Sequence, residues 1–197
     1  PFLSAGPAPA TPAAAAKPAP ANPAAATGAG LSKAVVVQDF AELDNGSAGT
    51  FQDTQGSTFE YSYADKKGGK YLKVTYSLVG DYCGMWCRAG GSDWSGVSAT
   101  GAKNLYFKIY SKQSLTLGFA LKDKNNNQYS AESAPTKGGS WETVTIPLNS
   151  FILDPYYTPP DAVKGAPMDF STIKQFNIQP KTKGEKVTFA IDGLSVK

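Results

Sequence analysis

From residue 34 onward the chain reads as short runs of alternating apolar and polar residues, and apolar positions at helical spacing are hard to find. Runs rich in Val, Ile, Thr, Tyr and Phe predict strands at 34–40, 57–63, 71–78, 105–110, 115–121, 141–146, 173–178 and 186–196. Turn signals separate them: Asn45-Gly46, Lys67-Gly68-Gly69, Asn125 to Asn127, Lys137-Gly138-Gly139 and Lys183-Gly184. Many short strands at this spacing predict an all-β protein, a β-sandwich jelly roll.

The same alternation assigns faces. Between Leu115 and Asp123, Leu117, Phe119 and Leu121 belong to the core, and Gly118, Ala120 and Lys122 point the other way. Small residues on an outward face leave a trough in which something flat can lie. Between Ile173 and Gln179, Phe176 and Ile178 face inward, which leaves Gln175, Asn177 and Gln179 as an outward polar row. Each amide both donates and accepts hydrogen bonds, as sugar hydroxyls require; a plain solvated face is the alternative.

Composition divides the chain in two. Residues 1–30 hold seven prolines, thirteen alanines and the single charge of Lys17. Such a segment buries too little surface to offset its ordering entropy and is expected to be a disordered, semi-rigid Pro/Ala linker. Residues 31–197 are enough for one well-buried domain. A net charge of +3 with dispersed lysines gives no basic stripe for phosphate backbones, so nucleic acid is excluded as a partner. No apolar run approaches the ~20 residues of a membrane span.

The absence of histidine removes the commonest general base and metal ligand and narrows any catalysis to carboxylates or rarer groups. A glycosidase needs two carboxylates, ~5–5.5 Å apart for retention or ~6.5–9.5 Å for inversion. Of five glutamates, Glu60 and Glu132 on strand-like segments form the best pair, and nothing around them marks a raised-pKa acid.

Cys83 and Cys87 are the only cysteines, too few for a thiolate zinc site. A local disulfide, suited to an exported protein, is the expectation. Residues i and i+4 of a straight strand lie ~13 Å apart, beyond the ~7 Å Cα limit of a bridge. The bridge therefore requires a tight loop or bulge at Gly84 to Trp86, and a straight strand leaves both thiols free.

Rings are plentiful, with ten Tyr, ten Phe and three Trp. Phe107, Phe119, Phe151 and Phe189 fall on inward positions and belong to the core. Trp94 and Trp141 are expected to pack. Tyr82, Trp86, Tyr156 and Tyr157 lie in polar or proline-rich surroundings, where a ring serves either packing or a ligand. Arg88 shares the parity of Tyr82 and Trp86, so its guanidinium donates either to sugar oxygens or to a surface ion pair.

From Val35 to its end the chain resembles the family 11 carbohydrate-binding modules. The resemblance is carried, in order and spacing, by VVVQDF, GSDWSG, LTLGFALKD, SWETVTIPLNSF, PYYTPPD, IKQFNIQ and TFAIDGLSV. It implies a non-catalytic jelly roll that holds β-glucan chains (cellulose or mixed-linkage glucan) in a concave cleft. Such a module is exported by a polysaccharide-degrading bacterium, is secreted or cell-surface, and is joined through its linker to a glycoside hydrolase. Tyr82 matches a cleft tyrosine, Tyr157 matches the tyrosine before a Pro-Pro pair, and Gln175, Asn177 and Gln179 lie on a strand whose outward side chains reach ligand. The resemblance also implies a structural calcium between the first and last strands, with Asp39 and Asp192 in matching places and Ala41 where an acid is common. A capping or turn carboxylate is the alternative for either aspartate. Two departures stand out: Asp154, Pro155 and Tyr156 replace charged residues before the Pro-Pro tyrosine, and Cys83 and Cys87 interrupt the pattern near Tyr82. A cell-surface protein-interaction sandwich is the third class, because it too exposes tyrosines.

Overall fold

Phe107 and Phe119 meet at the centre of the molecule with ring centroids 4.9 Å apart, one from each of two β-sheets that sandwich the core between them. The computed structural model describes residues 34–197 apart from 41–42, 44–45, 68, 89–92, 98–100, 155, 158–159 and 161–167. The expected linker over residues 1–30 lies outside the described residues.

The strands are β1 (Val35–Gln38), β2 (Ala48–Gln52), β3 (Thr58–Lys66), β4 (Gly69–Leu78), β5 (Cys83–Arg88), β6 (Asn104–Ser111), β7 (Leu117–Asp123), β8 (Gln128–Glu132), β9 (Glu142–Pro147), β10 (Ile152–Leu153), β11 (Ile173–Pro180) and β12 (Gly184–Val196). The first sheet runs β3-β4-β12-β6-β9, with β1 also on β12; the second runs β10-β8-β7-β11-β5-β2. Every pairing among them is antiparallel. The chain crosses repeatedly between the sheets, and the expected all-β sandwich jelly roll is the architecture. All eight predicted strands are present; β2, β5, β8 and β10 escaped the pattern.

Strand β12 organises the first sheet. Its Gly184–Ile191 half pairs with β4 and its last residues pair with β1 on the same edge, while β6 runs along the other edge. The change of partner coincides with a register shift at Gly193, whose φ of 58° suits a residue without Cβ.

The period-two reading of the faces holds. Phe107, Phe119, Phe151 and Phe189 are all buried. Trp94 is buried as well, its ring 6.5 Å from Phe176, in a turn tied together by Asp93, which accepts from Ser95 N and Ser95 Oγ. Trp141, expected to pack in the core or at an edge, packs at the surface against Tyr71 and Tyr110 and is 47% exposed.

Strand β5 corrects one expectation. Cys83 to Arg88 is a regular strand paired residue by residue with β2 and β11. Cys83 and Cys87 therefore project in the same direction four residues apart, too far for a bridge, and both are free and buried. No loop or bulge interrupts Gly84 to Trp86.

Candidate binding face

The register of the second sheet lines up its outward residues. One cross-strand row reads Ser130, Ala120, Asn177, Trp86, Gly49, from β8 through β7, β11 and β5 to β2. At ~4.8 Å per strand it is ~19 Å long. The next row reads Gln128, Lys122, Gln175, Arg88, and a third carries Glu132, Gly118 and Gln179. Strand β5 thus brings Trp86 and Arg88 directly beside the amides that the sequence placed on β11. Trp86, Arg88, Gln175, Asn177 and Gln179 form one contiguous patch.

Several contacts fix the groups on this patch. Gln175 Nε2 donates to Asn177 Oδ1 at 2.9 Å, which orients both amides. The Arg88 guanidinium sits 4.7 Å over the Trp86 ring. Trp86 lies flat on Gly49, where a Cβ would come within 2.6 Å of its ring; only glycine lets the indole settle there. The trough does not extend evenly. A Cβ on Gly118 would collide with the Lys181 side chain, so Lys181 lies across that end, while Ala120 and Ser130 keep the floor shallow at the centre.

Exposed tyrosines flank the patch on loops that aspartates hold. Tyr82 is 48% exposed and leans toward Phe51 of β2, ring centroids 6.3 Å apart. Its loop is held by Asp53, whose carboxylate accepts from Tyr82 N (3.0 Å), Asp81 N (2.7 Å), Gln55 N (2.9 Å) and Ser57 Oγ (2.8 Å). Burial pushes the Asp53 carboxyl up, but the hydrogen bonds from Tyr82, Ser57 and Gln55 outweigh it and hold the group well below the usual carboxylate range. A Cβ on Gly80 would collide with that carboxylate, so glycine is required at the approach.

On the other side Tyr157 is 54% exposed. Lys122 Nζ donates to its hydroxyl at 3.0 Å and lies 4.3 Å from its ring centroid. Asp154 pins the start of this loop to β8, accepting from Gln128 Nε2 and Ser130 Oγ, both at 3.1 Å, and from Tyr156 N at 2.9 Å. Tyr156 itself stands almost fully exposed. Sequence reasoning missed Phe51, Lys122, Asp53 and Asp154. The Asp-x-Gln-x-Ser run at Asp53 to Ser57 was a legible Asx-turn signal; no local pattern ties Lys122 to Tyr157.

The alternative carboxylate pair does not come together. Glu60 points outward from β3 in the first sheet and Glu132 outward from β8 in the second, pairing with Thr75 and Gly118 respectively. With sheets ~10 Å apart between them, the pair is too far apart for either hydrolytic geometry.

The expected calcium ligands are also only partly assembled. Asp192, beside the Gly193 shift, forms an ion pair with Lys66, and Asp39 follows the last residue of β1 that pairs with Leu194. Among the described residues no three His, Cys, Asp or Glu side chains cluster as a metal site. Two carboxylates supply part of the six to eight oxygens calcium takes, and backbone carbonyls and water are its usual complement.

A two-sheet sandwich with rings, amides and cations gathered on one outer sheet face has the architecture of a β-sandwich binding module. The sequence profile of the carbohydrate binding domain (family 11) matches residues 17–196, and the chain belongs to that family. Among solved structures it is similar to the family 11 module from Clostridium thermocellum in complex with a β-1,3-1,4-mixed-linked tetrasaccharide: 20% identity, TM-score 0.62, covering 83% of this chain and 94% of that one. The module of a cellulosomal cellulase from the same organism gives 20% identity and a TM-score of 0.62, covering 85% and 95%. An exo-β-agarase gives 15% identity and a TM-score of 0.57, covering 82% of this chain and 24% of that one. No curated protein matches the sequence.

Proposed function

We propose that the outer face of the second sheet binds a single β-glucan chain, of cellulose or mixed linkage, laid across the strands between Tyr82 and Tyr157. The observation that carries this reading is the unbroken row Ser130, Ala120, Asn177, Trp86, Gly49, in which small residues form a floor beside an indole and an amide. Flat rings take the C–H faces of the sugars, and the hydroxyls are met by Gln175, Asn177, Gln179 and Arg88. The internal Gln175–Asn177 hydrogen bond supports the reading, since amides oriented in advance lose less entropy on binding. A neighbouring fold in complex with a β-1,3-1,4-linked tetrasaccharide supports the choice of ligand.

In this reading the module is extracellular, secreted or on the surface of a bacterium. It is tethered through the Pro/Ala segment to a glycoside hydrolase, whose effective concentration at the polysaccharide it raises. Affinity electrophoresis in gels cast with mixed-linkage β-glucan tests it, alongside a reducing-end assay on the same polymer. Retardation without new ends, abolished by Trp86→Ala, is expected; migration equal to that in a glucan-free gel overturns the reading.

Calcium at Asp39 and Asp192 belongs to the same proposal, with Lys66 as a competitor for Asp192. A melting temperature that rises with added calcium and falls on chelation supports it. An unchanged melting temperature removes it.

A further inference from the structure

The outer face of the first sheet carries features that the glucan face does not use. Trp141, just before β9, is 47% exposed and meets two tyrosines: Tyr71 of β4 at 5.6 Å between centroids, edge-on, and Tyr110 of β6 at 5.9 Å, tilted. Ala190 of β12, a small residue, pairs with Lys73 on one side and Tyr110 on the other, which leaves open space above the strand beside the rings. Beside this cluster opens a cleft of about 370 Å³ lined by Tyr71, Tyr110, Lys73, Lys112, Glu185 and Thr188. That is a volume in the range of small-ligand sites.

The charge of the cleft is one-sided. Lys73, Lys112 and Lys186 surround it against the single Glu185, and among the described residues none of the four is in an ion pair. Packing does not explain three unneutralised ammonium groups around one cavity. Ring faces beside a net-positive polar wall suit a sugar unit that presents a C–H face and a carboxylate.

We propose that this cleft is a second saccharide site, on the sheet opposite the glucan face, which takes a uronate-bearing chain. The rings of Tyr71 and Tyr110 contact the sugar face, held in place by Trp141 packed against both, and Lys73 and Lys112 take the carboxylate. The proposal is independent of the reading of the second sheet, and its failure leaves that reading untouched.

Isothermal titration with tetragalacturonate and with its methyl ester, whose carboxylates are blocked, tests it. Expected are binding of the acid at least tenfold tighter than the ester, weakening with added salt, and at least tenfold loss in Tyr110→Ala. Lys73→Ala/Lys112→Ala, at two surface positions, is expected to erase the preference for the acid, and Trp86→Ala to change nothing. Failure of the wild type to bind tetragalacturonate overturns the proposal. So does binding that survives both first-sheet variants, or binding lost in Trp86→Ala instead.

Discussion

Asp53 and Tyr82 hold each other at both ends: Tyr82 N donates to Asp53 Oδ2 and Asp53 N donates to the Tyr82 carbonyl, each at 3.0 Å. A side chain at the exit of β2 thereby fixes the loop that enters β5, and with it a ring at the edge of the binding face. Asp53→Asn keeps the shape but replaces one accepting oxygen with a donor that faces other N–H groups. The expected result is a melting temperature lower by roughly 5 °C and a weaker affinity for glucan, read by calorimetry.

The same carboxylate sets an acid limit on stability. Its folded pKa lies below the unfolded value of about 4. Its contribution is therefore complete above that value and is lost as the pH falls through the folded pKa. Melting temperatures measured between neutral pH and pH 2 are expected to fall on the acid side, and to fall less steeply in Asp53→Asn. Parallel acid limbs in the two proteins would assign the effect to other groups.

Gly49 and Trp86 make the second prediction about the face itself. Because a methyl at residue 49 would overlap the indole by its 2.6 Å approach, Gly49→Ala must tilt Trp86 out of the plane in which Arg88 covers it. Overpacking of this kind costs about 1–3 kcal/mol. Part of that is expected to be lost as affinity, about tenfold, together with a shift in tryptophan emission. Trp86→Ala is expected to cost more, about 2 kcal/mol or some thirtyfold, as for a ring at the centre of an interface.

On the far side, Lys122 braces Tyr157 through both its hydroxyl and its ring. Lys122→Met keeps the aliphatic stem and removes the charge. An exposed cation–π contact is worth about 0.5–1 kcal/mol, so glucan affinity is expected to drop about two- to fivefold with no change in melting temperature. Tyr157→Ala is expected to fall further, and combining it with Lys122→Met to add little, since one residue acts through the other.

How much of this was legible follows from the range of each signal. Leu117 to Lys122 and Phe176 to Gln179 announce their faces because large apolar side chains alternate there with small or polar ones, although Gly118, Ala120 and Asn177 are themselves buried. Strand β5 did not announce itself: Cys83, Gly84 and Met85 are buried in succession, since Phe51 and Gln179 close over Gly84 on the outer side. Burial on both faces erases the alternation. Strand β2, Ala-Gly-Thr-Phe-Gln, has too few branched or aromatic residues to register, and Phe51 was missed with it. The pairing of Lys122 with Tyr157 spans 35 residues and depends on where Asp154 anchors a loop, which only the folded register decides.

The two cysteines show why a composition argument gave way to geometry, and they supply the last prediction. Oxidation suits an exported domain, yet β5 holds the sulfurs along one straight edge, with Cys87 Sγ beside Gln38 Nε2 at 3.9 Å and Cys83 Sγ beside the Ser77 carbonyl at 3.9 Å. Burial pushes the Cys83 thiol up to about 11, with the Asp53 charge adding to it, and the Cys87 thiol up to about 12. At neutral pH neither offers a thiolate, and neither is accessible. The native protein, prepared without reductant, is therefore expected to react negligibly with a thiol-specific disulfide reagent at pH 8. In denaturant it is expected to release two equivalents, with an intact mass equal to that of the fully reduced chain. Zero equivalents in denaturant and a mass lower by two hydrogens would mean that the bridge forms and that β5 must buckle between Gly84 and Trp86. The indole would then be carried off Gly49, and the row on which the binding face depends would be broken.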